Sequence, residues 1–387
     1  MIERDIIIVG AGPAGISTAL HLAQLAPELV SHTLILEKST HPRQKLCGGG
    51  LLPDAEMILE QLGLEIDEVP HCDVDWAHFD FNGLGMTMRG DKHSPIAFRT
   101  IRRHEFDAWL AGKALARGFL IHEDTKVEHV AVDGSGVTLE TSRGTYHARV
   151  VVGADGSNGI IRRALFPHEK AHMARLLEVV TDPKPEASFH VQADSYFDFV
   201  FVPQGIQGYV WDFPAIEHGR PVRVRGIFDS NCLDRQPGIS LRAALAEELQ
   251  RHGLVLEDYQ LNGFPIHWFE PGSEISIPHL LLAGDAAGSD ALFGEGISIA
   301  LGYGGLAARA IQAAFKSEDF SFSTYRASVL RSEMGRSLRR RTWLARCFYR
   351  FRSARLQAFF WRRLGFAIEW VMQRVVIGWA RRQADRT

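Results

Sequence analysis

A glycine-rich turn set between an apolar strand and a helix constrains this chain more than any other feature. Ile6-Ile7-Ile8-Val9 is a run of strand type, and Gly10-Ala11-Gly12-Pro13-Ala14-Gly15 follows it directly. A helical pattern through Ala19, Leu20 and Ala23 comes next. In that setting the glycines have separate tasks: a tight turn, close approach of backbone to a pyrophosphate, and close helix–strand packing. The helix start then presents free amides and the positive end of its dipole to phosphate. A second strand, Thr33-Leu34-Ile35-Leu36, ends at Glu37. An acid there accepts hydrogen bonds from the ribose hydroxyls of an adenosine. These residues predict a dinucleotide site, against the plainer reading of an ordinary strand–turn–helix with a surface acid.

With 387 residues the chain holds two or three domains around a large core. Its net charge of −3 gives no nucleic-acid signal, and no nucleic-acid partner is expected. The charge is unevenly placed. Residues 331–387 carry fifteen Arg, no Lys and three acids, a balance of +12, which leaves −15 for the rest. Cysteines at 47, 72, 232 and 347 lack zinc-ligand or redox-motif spacing, so no metal is expected and a reducing cytoplasm fits. The first strand begins within a few residues and breaks at Gly10, unlike a signal peptide. No apolar run reaches the roughly eighteen residues of a spanning helix.

The first 65 or so residues read as strand, helix, strand, loop, helix. Residues 71–100 contain Val74-Asp75-Trp76 and Gly85-Met86-Thr87-Met88, which predict a small antiparallel piece. A helix over about 103–117 returns to the α/β pattern, and strands follow near 119–122, 126–132, 136–141 and 146–152. Between 187 and 267 strands alternate at Ser188-Phe189-His190-Val191, Phe197-Asp198-Phe199-Val200, Gly208-Tyr209-Val210-Trp211 and Val222-Arg223-Val224-Arg225, with one helix near 239–252. The chain returns through His279-Leu280-Leu281-Leu282-Ala283 to a helix at about 296–315. Its small residues, among them Gly302, Gly304, Gly305, Ala307 and Ala308, predict close approach of neighbouring backbone. The expected class is α/β with an α+β insertion. A Rossmann-type nucleotide-binding domain takes 1–70, 99–166 and 272–325. An inserted antiparallel-sheet substrate domain takes 71–98 and 167–271, and a basic, aromatic helical region takes 326–387.

Three further segments distinguish a flavin from a nicotinamide dinucleotide. Arg103-His104-Glu105-Phe106-Asp107 places an Arg before a Phe-Asp pair. Gly153-Ala154-Asp155-Gly156-Ser157 ends one strand, and Gly284-Asp285-Ala286-Ala287-Gly288 follows another. In this order, over about 1–325, the chain resembles the FAD-dependent oxidoreductases built like aromatic-ring hydroxylases. The resemblance implies FAD, held by Gly10, Gly12, Ala14, Gly15, Glu37, Arg103, Val127 and Asp285, the last at the flavin's ribityl chain. Gly294 and Gly296 open the helix near 296, and Gly296 and Ile297 join the expected cofactor contacts. A helix start carries unpaired N–H groups and about half a positive charge. At the flavin's pyrimidine edge that charge favours the anion formed on reduction. The plain alternative for Asp285 is a helix cap.

Within that group the chain is most similar to the geranylgeranyl reductase family. Pro42-Arg43-Gln44-Lys45-Leu46-Cys47-Gly48-Gly49 matches its Pro-x-x-Lys-x-Cys-Gly-Gly pattern, and Tyr209-Val210-Trp211-Asp212-Phe213-Pro214 its Tyr-x-Trp-x-Phe-Pro pattern. A departure follows Gly288, where Asp290-Ala291-Leu292-Phe293-Gly294-Glu295-Gly296 lacks the family's frequent Pro. The resemblance adds Lys45, Cys47, Gly48 and Gly49 to the cofactor contacts and Cys47, Tyr209, Trp211 and Glu295 to the catalytic candidates. It implies reduction of unactivated double bonds in a prenyl or other long apolar, lipid-like substrate. Protonation gives the alkene cationic character at its more substituted carbon, and reduced flavin supplies hydride. Faces of Tyr209 and Trp211 stabilise the positive charge, and Cys47, Glu295 or a bound water delivers the proton. Bland readings stand beside these: Cys47 as a small buried apolar residue, and Tyr209, Trp211 and Phe213 as the inner face of a sheet. NADPH, ferredoxin or a partner reductase is the electron donor. Two other functions compete: a flavin monooxygenase or halogenase, from the partial Gly208-x-x-Trp211-x-x-Pro214 match, and a prenyl-binding carrier without redox activity.

The tail holds four of the eight tryptophans, Trp343, Trp361, Trp370 and Trp379. On a helical wheel from 356, Phe360, Leu364, Ala367, Ile368, Val371, Met372 and Val375 form a broad apolar arc. Arg and Trp flanking such an arc predict peripheral contact of 331–387 with an anionic membrane. That places the protein in the cytoplasm at the inner face of the cell membrane. The alternative is a terminal helix packed on the body, with its Arg residues solvated.

Overall fold

The computed structural model describes residues 1–90, 96–169, 172–183 and 194–385. The expected strand at 188–191 lies outside the described residues. The first strand, Ile2–Val9, lies in the middle of a parallel sheet between Gly144–Gly153 and Thr33–Leu36. Ile8 stands opposite Val152 on one side and Ile35 on the other. Ile6, Ile7 and Ile8 are all fully buried. Helices cover both faces of such a sheet, which is why the strand reads as an unbroken apolar run. Leu120–His122 extends one edge, and Leu280–Leu282 with Ser276–Ile277 the other. Val127–Val132 and Val137–Thr141 fold back on Gly144–Gly153 as an antiparallel flap.

The helices Pro13–Leu25 and Ile297–Ser317 pack against one another below the glycine turn. A methyl group on Gly304 would come 2.3 Å from Ser17 Oγ, so the small residues do allow the close approach expected of them. Ser17 Oγ donates to Leu301 O at 2.7 Å across that contact.

A seven-stranded sheet forms the second layer, in the order Asn262–His267, Met173–Thr181, Arg220–Asp229, Gly208–Glu217, Ser195–Asp198, Ala77–Phe81, Leu84–Met88. Its pairs are antiparallel except Ser195–Asp198 with Ala77–Phe81, which run parallel. Side chains alternate across the strand Gly208–Glu217. Val210 packs with Val179, Ile227 and Leu245 under the helix Leu241–Arg251. Tyr209, Trp211 and Phe213 join the aromatic cluster on the other face. Residues 71–98 do not form one piece: His71–Val74 joins Phe98–Ile101 and Gly50–Leu51 in a separate three-stranded sheet.

The tail is not one continuous helix from 356. Ala354–Arg363 stops at Leu364, Gly365–Val371 runs on into a π-helical turn at Met372–Val376, and a last helix spans Trp379–Ala384. Gly378, at φ +78°, makes the final corner. The tail is anchored to the body. Asp54 accepts from the Gly378 and Ala380 amides at 2.8 and 2.7 Å. Trp379 fills the space above Gly302, where a methyl group would come 2.5 Å from the indole. Fully buried Arg341, on the helix Glu333–Phe348, reaches Asp290 and Glu295. Among the described residues no helix is long and apolar enough to cross a membrane.

Candidate active site

A cavity of about 730 Å³ runs from the glycine turn to the aromatic face of the seven-stranded sheet. Gly10 sits at φ +108°, and a methyl group there would collide with Ala154 O at 2.3 Å. Gly15 supports the same turn from below, its hypothetical Cβ 1.9 Å from Gly10 O. Gly10, Gly12 and Ala14 border the cavity directly, and Gly15 lies behind them. The helix Pro13–Leu25 has no side-chain cap, which leaves its first amides available to a phosphate.

Glu37 is buried at the end of its strand and borders the cavity. Its Oε2 accepts from the Ala11 amide at 2.9 Å and its Oε1 from Ser39 at 3.1 Å, which fixes the carboxylate with lone pairs to spare. Arg43 stretches between Glu37 and Asp107, 3.5 and 3.3 Å from their oxygens. Its Nε is buried without a hydrogen bond among the described residues. Arg103 forms a two-pronged pair with Asp107 one helical turn on, at 2.7 and 2.8 Å. Arg43 occupies a variable position of the Pro42–Gly49 motif, so the motif alone does not single it out. Its spacing from Lys45 and Cys47 was the available signal.

The two later glycine motifs meet. Ser157 Oγ donates to Asp285 Oδ2 at 3.2 Å and accepts from the His267 amide at 3.0 Å. Asp285 lies in a short turn, Gly284–Ala286, well before the helix at Ile297, so it is no helix cap. It borders the cavity with Val127, Gly296 and Ile297. The helix start is partly occupied. Glu295 Oε1 accepts from the Ser298 amide at 2.9 Å and from Ser298 Oγ at 2.6 Å. Its other oxygen lies 3.1 Å from Arg341 Nη1. The expected row of unpaired amides is therefore shorter by one.

The Cys47 loop closes the middle of the cavity. Cys47 is half-buried, and its Sγ accepts from the Gly49 amide at 3.4 Å. A methyl group on Gly48 would come 3.1 Å from Trp211 Nε1 and 3.3 Å from the Phe213 ring, so this loop rests on the aromatic wall. Lys45 Nζ lies over the Phe264 ring. Burial pushes its ammonium down to about 8, against an opposing pull from Asp285.

Tyr209 and Trp211 are each 6 % exposed and line the cavity with Phe213. Tyr209 Oη donates to Phe293 O at 2.5 Å, and burial raises its pKa. The Trp211 indole N–H is buried and has no partner among the described residues. Phe197 joins this wall, its ring centre 4.9 Å from Phe213 and 5.3 Å from Tyr209. Met372, Val376 and Ile377 of the tail border the same space. Only the tail's broad apolar arc hinted at a contact with the cavity.

The residues fit FAD. A cradle at Gly10–Gly15 suits a pyrophosphate, Glu37 an adenosine ribose, and the stretch from Asp285 to Ile297 the flavin end. One continuous cavity joins them.

The chain matches the FAD binding domain family over residues 3–220, more than half its length. It is 30% identical to digeranylgeranylglycerophospholipid reductase 2 of Methanopyrus kandleri, over 83% of this chain and 80% of that one. It superposes on a geranylgeranyl bacteriochlorophyll reductase-like protein of Thermoplasma acidophilum with a TM-score of 0.79, covering 100% of this chain and 99% of that one at 20% identity. The flavin-dependent halogenase CmlS shares the fold at a TM-score of 0.64 and 23% identity, with 90% and 62% covered. By its sequence matches the chain belongs to the geranylgeranyl reductase family of FAD-dependent oxidoreductases.

Proposed function

We propose that this enzyme reduces carbon–carbon double bonds in a prenyl chain or a similarly long apolar substrate. The observation that carries the reading is the single cavity in which the Cys47 loop rests on an aromatic wall of Tyr209, Trp211 and Phe213. An apolar chain lies against the ring faces of that wall, where the Tyr209 hydroxyl is already paired with Phe293 O. FAD, once reduced by NADPH or a ferredoxin-type partner, supplies a hydride equivalent. The protein's own tasks are to orient the alkene, exclude water and provide a proton. As the π bond breaks, a proton adds at the less substituted carbon and hydride at the more substituted one, so the product gains two hydrogens. The faces of Tyr209 and Trp211 stabilise the intervening positive charge. Cys47 is the proposed proton source, since both Cys47 and Glu295 border the cavity and Glu295 is engaged by Ser298 and Arg341.

The test is anaerobic turnover of a geranylgeranyl lipid with each donor, read by mass. Gain of two hydrogens per double bond is expected. Product formed only with oxygen, and heavier by an oxygen or a halogen atom, would identify the oxygenase or halogenase chemistry of the same fold.

A further inference from the structure

Large apolar side chains standing alone at a surface need no explanation, whereas a concentration of them does. Eleven are exposed among the described residues, and six belong to one stretch of the tail: Trp343, Phe351, Leu356, Phe359, Phe366 and Trp370, each more than half exposed. Beside them the helix Glu333–Phe348 and the segment Gly365–Val376 enclose a groove of about 780 Å³. Arg336, Arg340, Arg374 and Arg382 line it, and Trp343 and Trp370 stand at its rim.

The arginines exceed their partners. Arg336 and Arg382 share the one carboxylate of Glu333. Arg340 and Arg374 are exposed and have no ion pair among the described residues. The Arg382 guanidinium is held below its ordinary value by burial; Asp54 and Glu333 pull it up, and the nearby charges of Arg340 and Arg374 push it further down. An anion in this groove would relieve that crowding.

We infer that this face docks on an anionic bilayer, with lipid phosphates in the arginine groove and the exposed aromatic side chains at the boundary between headgroups and acyl chains. Arginines with Trp343 and Trp370 beside them suit the membrane interface, where rings sit at headgroup depth. An acidic protein partner would match the arginines and leave the aromatic side chains without a complement. The geometry also supplies a purpose. The segment that carries exposed Trp370 continues into Met372, Val376 and Ile377, which border the substrate cavity. One helical layer therefore separates the docking face from the cavity. This use of the surface rests on the proposed lipid-like substrate, but the docking itself does not.

Removing the whole tail is not the test, because Arg341 and Trp379 hold it in the core. Surface substitutions are. Flotation of the FAD-loaded, full-length protein with vesicles of phosphatidylcholine alone, or mixed with phosphatidylglycerol, reads the partition. Binding to the anionic vesicles is expected, with little to the neutral ones and marked weakening by salt. Arg340→Ser with Arg374→Ser should reduce partition by about fivefold per charge removed. Phe366→Ala with Trp370→Ala should reduce it several-fold at constant charge. Flavin content and melting temperature report whether each variant is folded. Equal partition into both vesicle types, no binding, or binding unchanged in both folded variants would overturn the inference. Binding without reduction of any prenyl lipid would leave docking standing and remove the proposed function.

Discussion

Gly49 shows how little room single residues have at this site. It sits at φ +84°, and a methyl group there would lie 2.1 Å from Ile101 O, a backbone atom that also accepts no easy displacement. Gly49→Ala should therefore cost on the order of 1–3 kcal/mol in strain. Since the loop carries Cys47, it should also lower flavin content on purification, read as the ratio of visible to protein absorbance. His267 makes a second prediction. Burial pushes its imidazole down to about 3, while the unfolded chain takes up that proton near pH 6.5. Between those values the unfolded state binds more protons, so stability falls as pH falls through the window, by at most ~1.4 kcal/mol per pH unit. In His267→Gln that slope should be shallower, and thermal melts between pH 6.5 and 4.5 measure it. An identical slope would mean that other groups dominate the acid loss. His267 was not legible as a site residue because its imidazole meets the Asp285 carbonyl, and its amide Ser157, only once separate segments pack together.

At the scale of elements, the tail's fate hangs on two buried acids and an arginine. Arg341 links the helix Glu333–Phe348 to Asp290 and to Glu295 at 3.2 and 3.1 Å, all without access to solvent or nearly so. Arg341→Met leaves two buried carboxylates without their counter-charge, held only by the Leu292 and Phe293 amides and by Ser298, and should cost roughly 3–5 kcal/mol. Because both acids belong to the loop before the helix Ile297–Ser317, flavin retention should fall with the melting temperature. A variant that lost stability but kept its flavin would show that the loop is held elsewhere. The elements themselves were largely legible in the sequence. Ile6–Val9, the helix from Arg103 and the helix from Ile297 carry their own periodicity and punctuation. The breaks in the tail were not legible, since a wheel drawn from 356 assumes continuity through Gly365 and Gly378. What bends the chain there is a partner: Asp54 binds the amides of Gly378 and Ala380, over 300 residues away.

Over the whole molecule, the glycine turn and the Tyr-x-Trp-x-Phe strand were each readable by themselves, but their meeting depends on how two sheets pack. The sequence had no way to reveal that Gly226, on the next strand, leaves space for the Trp211 indole, whose nearest atom would stand 2.2 Å from an added methyl group. Nor did it reveal that the tail's inner face would finish the cavity. That three-part wall makes cavity length a property of the assembly, and it gives substrate selection a handle remote from the flavin end. Phe197 stacks on Phe79 at 4.6 Å and leans on Tyr209 and Phe213. Phe197→Ala opens space beside the wall at a cost below the roughly 3–5 kcal/mol of a fully buried phenylalanine, because Phe197 is only partly buried. In the folded fraction it should raise the rate with the bulkier of geranyl, farnesyl and geranylgeranyl substrates relative to the shorter ones. Competition between the three in one anaerobic mixture, with products resolved by mass, measures the ratio directly. An unchanged ratio, with overall turnover reduced, would place the chain elsewhere in the cavity, along the surface of Met372 and Val376 instead of the sheet.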